Sequence, residues 1–480
     1  MAQGRTRWLM WGGVGGVVAF LIVQYVLFQA ALQRIPQTWT VAGLPVGGQS
    51  VDAALDAVDR ALRTPFTVRY HDQTIMLDPA DVELRLDREG NRARIARALA
   101  DEQRPSGFIR FLFRQPPPPR DLPVEVFISS EKVRLWLLEV ARRFDRPPID
   151  PQPDLERFTF TPGQPGYMLN LSRSAERLQE ALARATPREV ALVVEEKPAP
   201  ALTLAALGRF MEAYLRPFEG TAGIFIKDLQ RGETWMHNGD LPFSGVGLMR
   251  LPVALALARA RDLVHDTDRR QRIFQMLVDE AALPTFYEAL VDLGDGDPTR
   301  GAEQATALLQ ALGLVNSFLA WPFDQPGAPP AVATPANQRP DLPIHPDPRQ
   351  QTTPEDMGVL LEMLYQCARN GGPLPLVFEG AIAPEECAFL LEAMGQNRLA
   401  DARGQPTLLA AGLPPGIAFP HRPGWTNETR ADAGIVLTGR TDYVIVVFLH
   451  KPLLMEWDRA VRMMGDLSRI TAQFFLGTPR

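Results

Sequence analysis

The stretch LPFSGVGLMRLPVALALARA, Leu241 to Ala260, sets the reading of the C-terminal half of the chain. An aromatic, Phe243, leads into a turn of small residues ending at Gly247, and then into an apolar helix with Leu251-Pro252 in its first turns. Proline is tolerated in a first helical turn, because its missing N–H would have no intrahelical acceptor there. The start of such a helix presents free backbone N–H groups and a partial positive charge, so any chemistry depends on the side chains of the turn. Here those positions are Gly247 and, three residues on along the same helical face, Arg250.

Working outward, the segment from 202 to 480 reads as one α+β unit. It opens with an amphipathic helix, TLAALGRFMEAYLRPF, and a hairpin, TAGIFIKDL and ETWMHN, turned through Gln230-Arg231-Gly232. A helix-rich middle runs to about Arg369. Three late strands follow, GIAFPHRPGW, RADAGIVLTG and TDYVIVVFLHKP, and then a final amphipathic helix, WDRAVRMMGDLSRITAQFF. Strands at both ends with helices between predict an antiparallel sheet built from both termini, with the terminal helices on one face and a helical subdomain beside it.

These stretches resemble the class A β-lactamase and penicillin-binding fold of serine hydrolases, over the whole of 202–480. The resemblance implies three catalytic motifs. The first is S-x-x-K, in which the lysine amine takes the serine proton. The register of Phe243 and Leu251-Pro252 puts Gly247-Leu248-Met249-Arg250 there. Glycine carries no nucleophile, and arginine stays protonated in proteins. The second, S-D-N, falls on Val278-Asp279-Glu280, and the third, K-T-G, on Arg422-Pro423-Gly424. Between Trp321 and Thr353, where the resemblance would place a deacylating glutamate, there is no Glu. The expectation is a catalytically silent member of the fold. The alternative is an active serine hydrolase, of β-lactamase or D-Ala carboxypeptidase type, with a relocated nucleophile such as Ser244; otherwise that serine is expected to cap the following helix. Such a nucleophile would have no lysine within reach, since none occurs from Asp228 to His450. An emptied pocket would leave Arg250 and Arg422 as an anion site for a peptide carboxylate, unless Asp279 or Glu280 neutralises Arg250.

The N-terminal half has a different character. From Trp8 to Leu32 there are 25 residues without a charge, long enough at ~1.5 Å each to span a ~30 Å hydrocarbon core. Arg5 and Arg7 precede the run and no small-x-small cleavage site ends it, which predicts an uncleaved single-pass anchor at 8–32 with residues 1–7 cytoplasmic and the bulk of the chain outside. After it, two related α+β lobes are expected at 35–115 and 121–200, joined by a Pro-rich linker at 116–120. LRLDREGNRARIARAL and YMLNLSRSAERLQEAL align at a fixed offset: Leu86 meets Leu169, Asp87 meets Asn170, Ile95 meets Leu178 and Ala98 meets Ala181. With VAGLPVGGQSVDAA, these helices resemble a family of peptidoglycan-binding domains found between a membrane anchor and cell-wall enzymes, which implies peptidoglycan or a wall peptide as partner. The resemblance names no binding residues.

Composition excludes other classes. A net charge of −6 over 480 residues leaves no basic footprint for nucleic acid. The six histidines show no metal-ligand spacing, so neither a metal nor another cofactor is expected. Cys367 and Cys387 are compatible with one bridge or with two buried thiols. The sequence thus predicts a membrane-anchored, multidomain α+β protein that binds or scaffolds at the cell wall, with no protein partner named by the residues.

Overall fold

The computed structural model describes residues 3–260, 263, 265–279, 283–322, 327, 329–397 and 399–477, with the side chains of the first helix described from Gly16 on. The chain divides into two compact units. One comprises Met1–Ile149 with Gln164–Pro200, the other Asp150–Gly163 with Ala201–Arg480.

In the first unit, α1 (Gln3–Ala31) is a single helix. The predicted anchor residues Trp8 to Gly15 lie outside the described side chains. Among the described residues no helix is long and apolar enough to cross a membrane. From Val17 to Leu27, however, α1 exposes Val17, Phe20, Ile22, Val23, Tyr25, Val26 and Leu27, each at least half exposed. The rest of the unit holds β1 (Trp39–Val41), α2 (Val51–Leu62), β2 (Phe66–Tyr70), β3 (Gln73–Leu77), α3 (Arg88–Glu102), α4 (Pro105–Leu112), β4 (Arg120–Leu122), α5 (Ser130–Phe144), β5 (Gly166–Leu169), α6 (Leu171–Leu182), β6 (Glu189–Ala191) and β7 (Val194–Lys197).

The internal repeat has a structural basis. Asp87 caps α3 by accepting the Gly90 N–H, and Asn170 caps α6 by accepting the Arg173 N–H. One turn further on, buried Asn91 grips both backbone groups of Glu125, and buried Ser174 grips both of Val193. Each helix is thereby tied through one buried polar side chain to a later extended segment, and the buried groups find the partners they require. The lobes are not independent, though. β1 pairs in parallel with β4, across the Pro-rich linker, and β2 pairs in parallel with β6 near the end of the unit. One core gathers Trp39, Leu55, Val58, Ile95 and Leu122, and the other Phe66, Leu77, Leu137, Leu178 and Leu182. The expected boundary at 115–121 therefore separates neither the strands nor the cores.

The second unit is organised around a five-stranded antiparallel sheet. Its elements are α7 (Leu204–Leu215), β8 (Thr221–Asp228), β9 (Thr234–His237), β10 (Phe243–Ser244), α8 (Arg250–Ala260), α9 (Thr267–Val278), α10 (Leu283–Leu293), α11 (Pro298–Ala311), β11 (Phe318–Leu319), β12 (Gln350–Thr352), α12 (Pro354–Cys367), α13 (Pro384–Gly395), β13 (His421–Trp425), β14 (Thr429–Val436), β15 (Tyr443–His450) and α14 (Trp457–Gly477). The sheet order is β9-β8-β15-β14-β13, so strands from both ends of the unit meet at its centre.

Alternation along the strands sorts the two faces. Tyr443, Ile445, Val447 and Leu449 join the core under α7 and α14, whereas Val444, Val446 and Phe448 join the core of the helical half. α8 is apolar all round and runs through that second core, with Leu251, Val253, Leu255 and Leu257 at most 1% exposed. A hairpin of Gln152–Asp154 and Thr159–Thr161, which falls within the 121–200 span expected for the second lobe, belongs to this unit instead. Its Phe158 and Phe160 pack on Phe210 of α7 at 5.1 and 5.5 Å between ring centres. Cys367 and Cys387 form a disulfide that ties α12 to α13.

Candidate active site

β10 delivers the chain to the site. The Phe243 ring lies against Phe448 of β15 at 4.9 Å and is fully buried, which fixes where the turn begins. Ser244 pairs with Gln351 of β12, and its Oγ accepts the backbone N–H of Asp347 at 2.8 Å. The hydroxyl anchors the loop before β12 rather than capping the following helix.

The turn then runs through a 3-10 segment, Val246–Met249, into α8. Val246 sits at φ 44°, a strained conformation for a β-branched residue. Gly247 is not in the left-handed region, so its backbone angles do not demand glycine. Space does. A Cβ on Gly247 would stand 2.5 Å from the Pro423 carbonyl oxygen and 2.9 Å from Gly424 Cα. A Cβ on Gly424 would stand 2.2 Å from Gly247 N. The turn and the edge strand β13 are in backbone contact at the position where the resemblance puts a nucleophile.

Arg250 and Arg422 are 3% and 1% exposed. Arg250 Nη1 donates to the carbonyls of Met276 at 3.2 Å and Asp279 at 2.8 Å. Arg422 Nε donates to Gly247 O at 3.1 Å, and its Nη1 to Leu277 O at 3.0 Å. The carbonyls of Met276, Leu277 and Asp279 lie at the C-terminal end of α9, where carbonyls lack intrahelical partners and the helix dipole favours cations. The two guanidiniums thus clamp the end of α9 onto the turn. Val278 is the last residue of α9 and Asp279 its cap, while Glu280 lies outside the described residues. Pro423 and Gly424 lie in β13, opposite Asp432 and Ala431. His421 faces away from Arg422, as strand alternation predicts: its Nδ1 is 2.8 Å from Asp432 Oδ1, and its ring stacks on Phe419 at 4.4 Å.

A cavity of about 440 Å³ opens beside the turn, bordered by Gly247, Arg250, Asp347, Arg349, Gly424 and Trp425 among others. Arg422 and Ser244 are not among the residues that border it. The anion site expected from two arginines is corrected to this extent: Arg250 reaches the rim, whereas the Arg422 guanidinium is turned into backbone carbonyls. Arg349, Asp347 and Trp425 carry no signal in the sequence, because nothing in the local pattern places the loop before β12 next to the end of β13. Thr426 supplies a hydroxyl to the described rim, but its Oγ1 already accepts the N–H groups of Glu428 and Thr429. Behind β12, Ser317 Oγ lies 2.8 Å from Thr352 Oγ1 and donates to Asp356 Oδ2 at 2.8 Å. Burial pushes the Asp356 carboxyl up to about 6, against the opposing effect of the Ser317 and Asn316 donors. The arrangement offers a polar recess with cationic groups near its wall. Among the described rim residues no serine or lysine is available for acyl transfer.

Solved structures similar to this chain include a β-lactamase from Sphaerobacter thermophilus, 18% identical over 58% of this chain and 99% of that one, with a TM-score of 0.42. The protein PBP-A is 17% identical over 58% and 99% of the two chains, with a TM-score of 0.42. A β-lactamase from Desulfarculus baarsii is 17% identical over 58% and 100%, with a TM-score of 0.41. No curated protein matches the chain. Residues 82–191 match the family model described as a "Putative peptidoglycan binding domain", and residues 296–475 match that of the "Beta-lactamase enzyme family", a stretch that begins beyond Gly247 and Arg250.

Proposed function

We propose that the chain is a membrane-anchored, extracytoplasmic protein whose Beta-lactamase-family domain does not turn over substrate and instead binds or scaffolds at the cell wall. The observation that carries this reading is the backbone contact between Gly247 and β13, which leaves no space for the side chain an acyl-transfer nucleophile needs. Supporting it, Arg250 holds the end of α9 and stays protonated, so it supplies no base. The Cys367–Cys387 bridge supports a location outside the cytoplasm, where disulfides persist. The bare apolar flank of α1 and the uncharged run from Trp8 to Leu32 support an anchor with its N-terminus cytoplasmic. The match at 82–191 supports peptidoglycan as the wall partner.

Two measurements test the reading. Fluorescent penicillin incubated with the full-length protein should leave no covalent label on a denaturing gel; a label lost in Ser244→Ala would replace the reading with that of an active hydrolase. Purified sacculi should sediment the protein, and its remaining in the supernatant would remove the wall-binding part.

A further inference from the structure

α4, PSGFIRFL, is short and amphipathic, and it has two apolar sides. The inner side carries Phe108 and Phe111, which pack on α1: Phe108 lies 5.5 Å from both Tyr25 and Phe28, and Phe111 lies 5.4 Å from Phe28, between ring centres. The outer side carries Pro105, Ile109 and, just past the helix end, Phe113, spaced four residues apart and therefore aligned along the helix. Ile109 is 54% exposed and Phe113 is 73% exposed. Nothing in water stabilises that stripe, and the helix that carries it packs on α1, whose flank from Val17 to Leu27 is itself apolar and exposed.

We infer that the outer side of α4 lies in the headgroup region of the bilayer that carries α1, so that the chain meets the membrane through a second, interfacial element. This rests on the anchor reading above. Tyr25 and Phe28 lie six and three residues before the end of α1 at Ala31, hence about 9 and about 5 Å along the axis at ~1.5 Å per residue. Interfacial helices bury their apolar side by a similar ~5–10 Å. A helix clasped to Tyr25 and Phe28 is held at the depth where such helices sit. The polar groups fit as well. Glu102 and Asp101, which would be repelled by anionic headgroups, are engaged by Arg110 and Arg104. Exposed Arg114 follows the stripe directly, placed to meet phosphate.

The test uses the full chain reconstituted in vesicles of phosphatidylcholine and phosphatidylglycerol, with a polarity-sensitive fluorophore on Ile109→Cys or, separately, on Leu27→Cys. Ile109 and Leu27 are exposed, so neither change removes a core contact, and the native cysteines are bridged. Nitroxide lipid labelled near the headgroup should quench the probe at 109 by roughly two-fold or more, and lipid labelled near the chain end should quench it less. Quenching at 27 by lipid but at 109 only by aqueous iodide would overturn the interfacial helix while leaving the anchor standing. A probe at 109 shielded from both lipid and iodide would overturn it too, in favour of a protein covering α4. Absence of lipid quenching at both positions would refute the anchor itself, and the interfacial helix with it.

Discussion

Gly247→Ser puts back the atom that the site lacks, and the structure predicts that the protein will resist it. The new Cβ would stand 2.5 Å from Pro423 O and 2.9 Å from Gly424 Cα. Both are backbone atoms of a strand hydrogen-bonded along β14, so neither can swing aside as a side chain end would. Overpacking of this kind costs about 1–3 kcal/mol. Replacing glycine within the 3-10 turn and helix start returns about 0.5 kcal/mol through backbone entropy, too little to reverse the sign. The net loss is therefore about 0.5–2.5 kcal/mol. In a unit of this size, with about 2 °C lost per kcal/mol, the melting transition should fall by roughly 1–5 °C. Circular dichroism melts of wild type, Gly247→Ala and Gly247→Ser separate sterics from chemistry, because alanine carries the same Cβ without the hydroxyl. Both variants should melt lower. Intact-mass analysis after incubation with benzylpenicillin should find no adduct on Gly247→Ser or on the double variant Gly247→Ser/Arg250→Lys. A serine variant as stable as wild type that forms a penicilloyl ester would refute the reasoning, since β13 would then stand clear of the turn.

Three further outcomes follow from other parts of the molecule. Arg250→Ala strips donors from the carbonyls of Met276 and Asp279 in a buried setting and should cost about 3 kcal/mol, read as a lower urea midpoint at unchanged slope. Reducing the Cys367–Cys387 bridge, which closes a loop at a sequence separation of 20, should remove about 3 kcal/mol on the chain-entropy account, visible as a lower melting point in reductant that Cys367→Ala/Cys387→Ala reproduces. Asp356 binds its proton more tightly in the folded state, near 6, than in the unfolded chain, near the ordinary 3.8. Its contribution is therefore greatest below about pH 4 and is lost as pH rises through 6, by up to about 3 kcal/mol. Asp356→Asn keeps an acceptor for Ser317 and should flatten that slope in melts taken at pH 4 and pH 7.

What was legible in the sequence was periodic or local. The apolar run of α8, the short apolar runs of β8 and β15, and the polar caps at Asp87 and Asn170 all announce themselves within a dozen residues, and each forms as the pattern predicts. What was hidden depends on pairing over long separations. Nothing in the residues around Trp39 specifies a parallel partner at Arg120–Leu122, and nothing around Phe66 specifies one at Glu189–Ala191, so the lobes read as a simple duplication. Nothing in the residues around Phe158 and Phe160 shows that the surface receiving them is supplied by α7, some fifty residues on. Arg349 and Trp425 share a cavity only because β12 and β13 flank the same turn.

The site shows the same limit in a form that bears on function. Read singly, glycine for serine, arginine for lysine and Arg-Pro-Gly for Lys-Thr-Gly are three losses. In the structure they form one arrangement. Without a Cβ at 247, the turn touches β13; with the turn against β13, Arg422 reaches Gly247 O; and Arg422 and Arg250 together hold the carbonyls at the end of α9. Each residue fills space or meets polar groups that the others create, so their effects on stability should be coupled rather than additive. A side chain at 247 meets backbone, and truncating Arg250 or Arg422 leaves buried carbonyls without their donors. On the proposed reading, that mutual dependence predicts that no single substitution among them installs acyl transfer, and double-mutant cycles between 247 and 422 should show a coupling energy well away from zero.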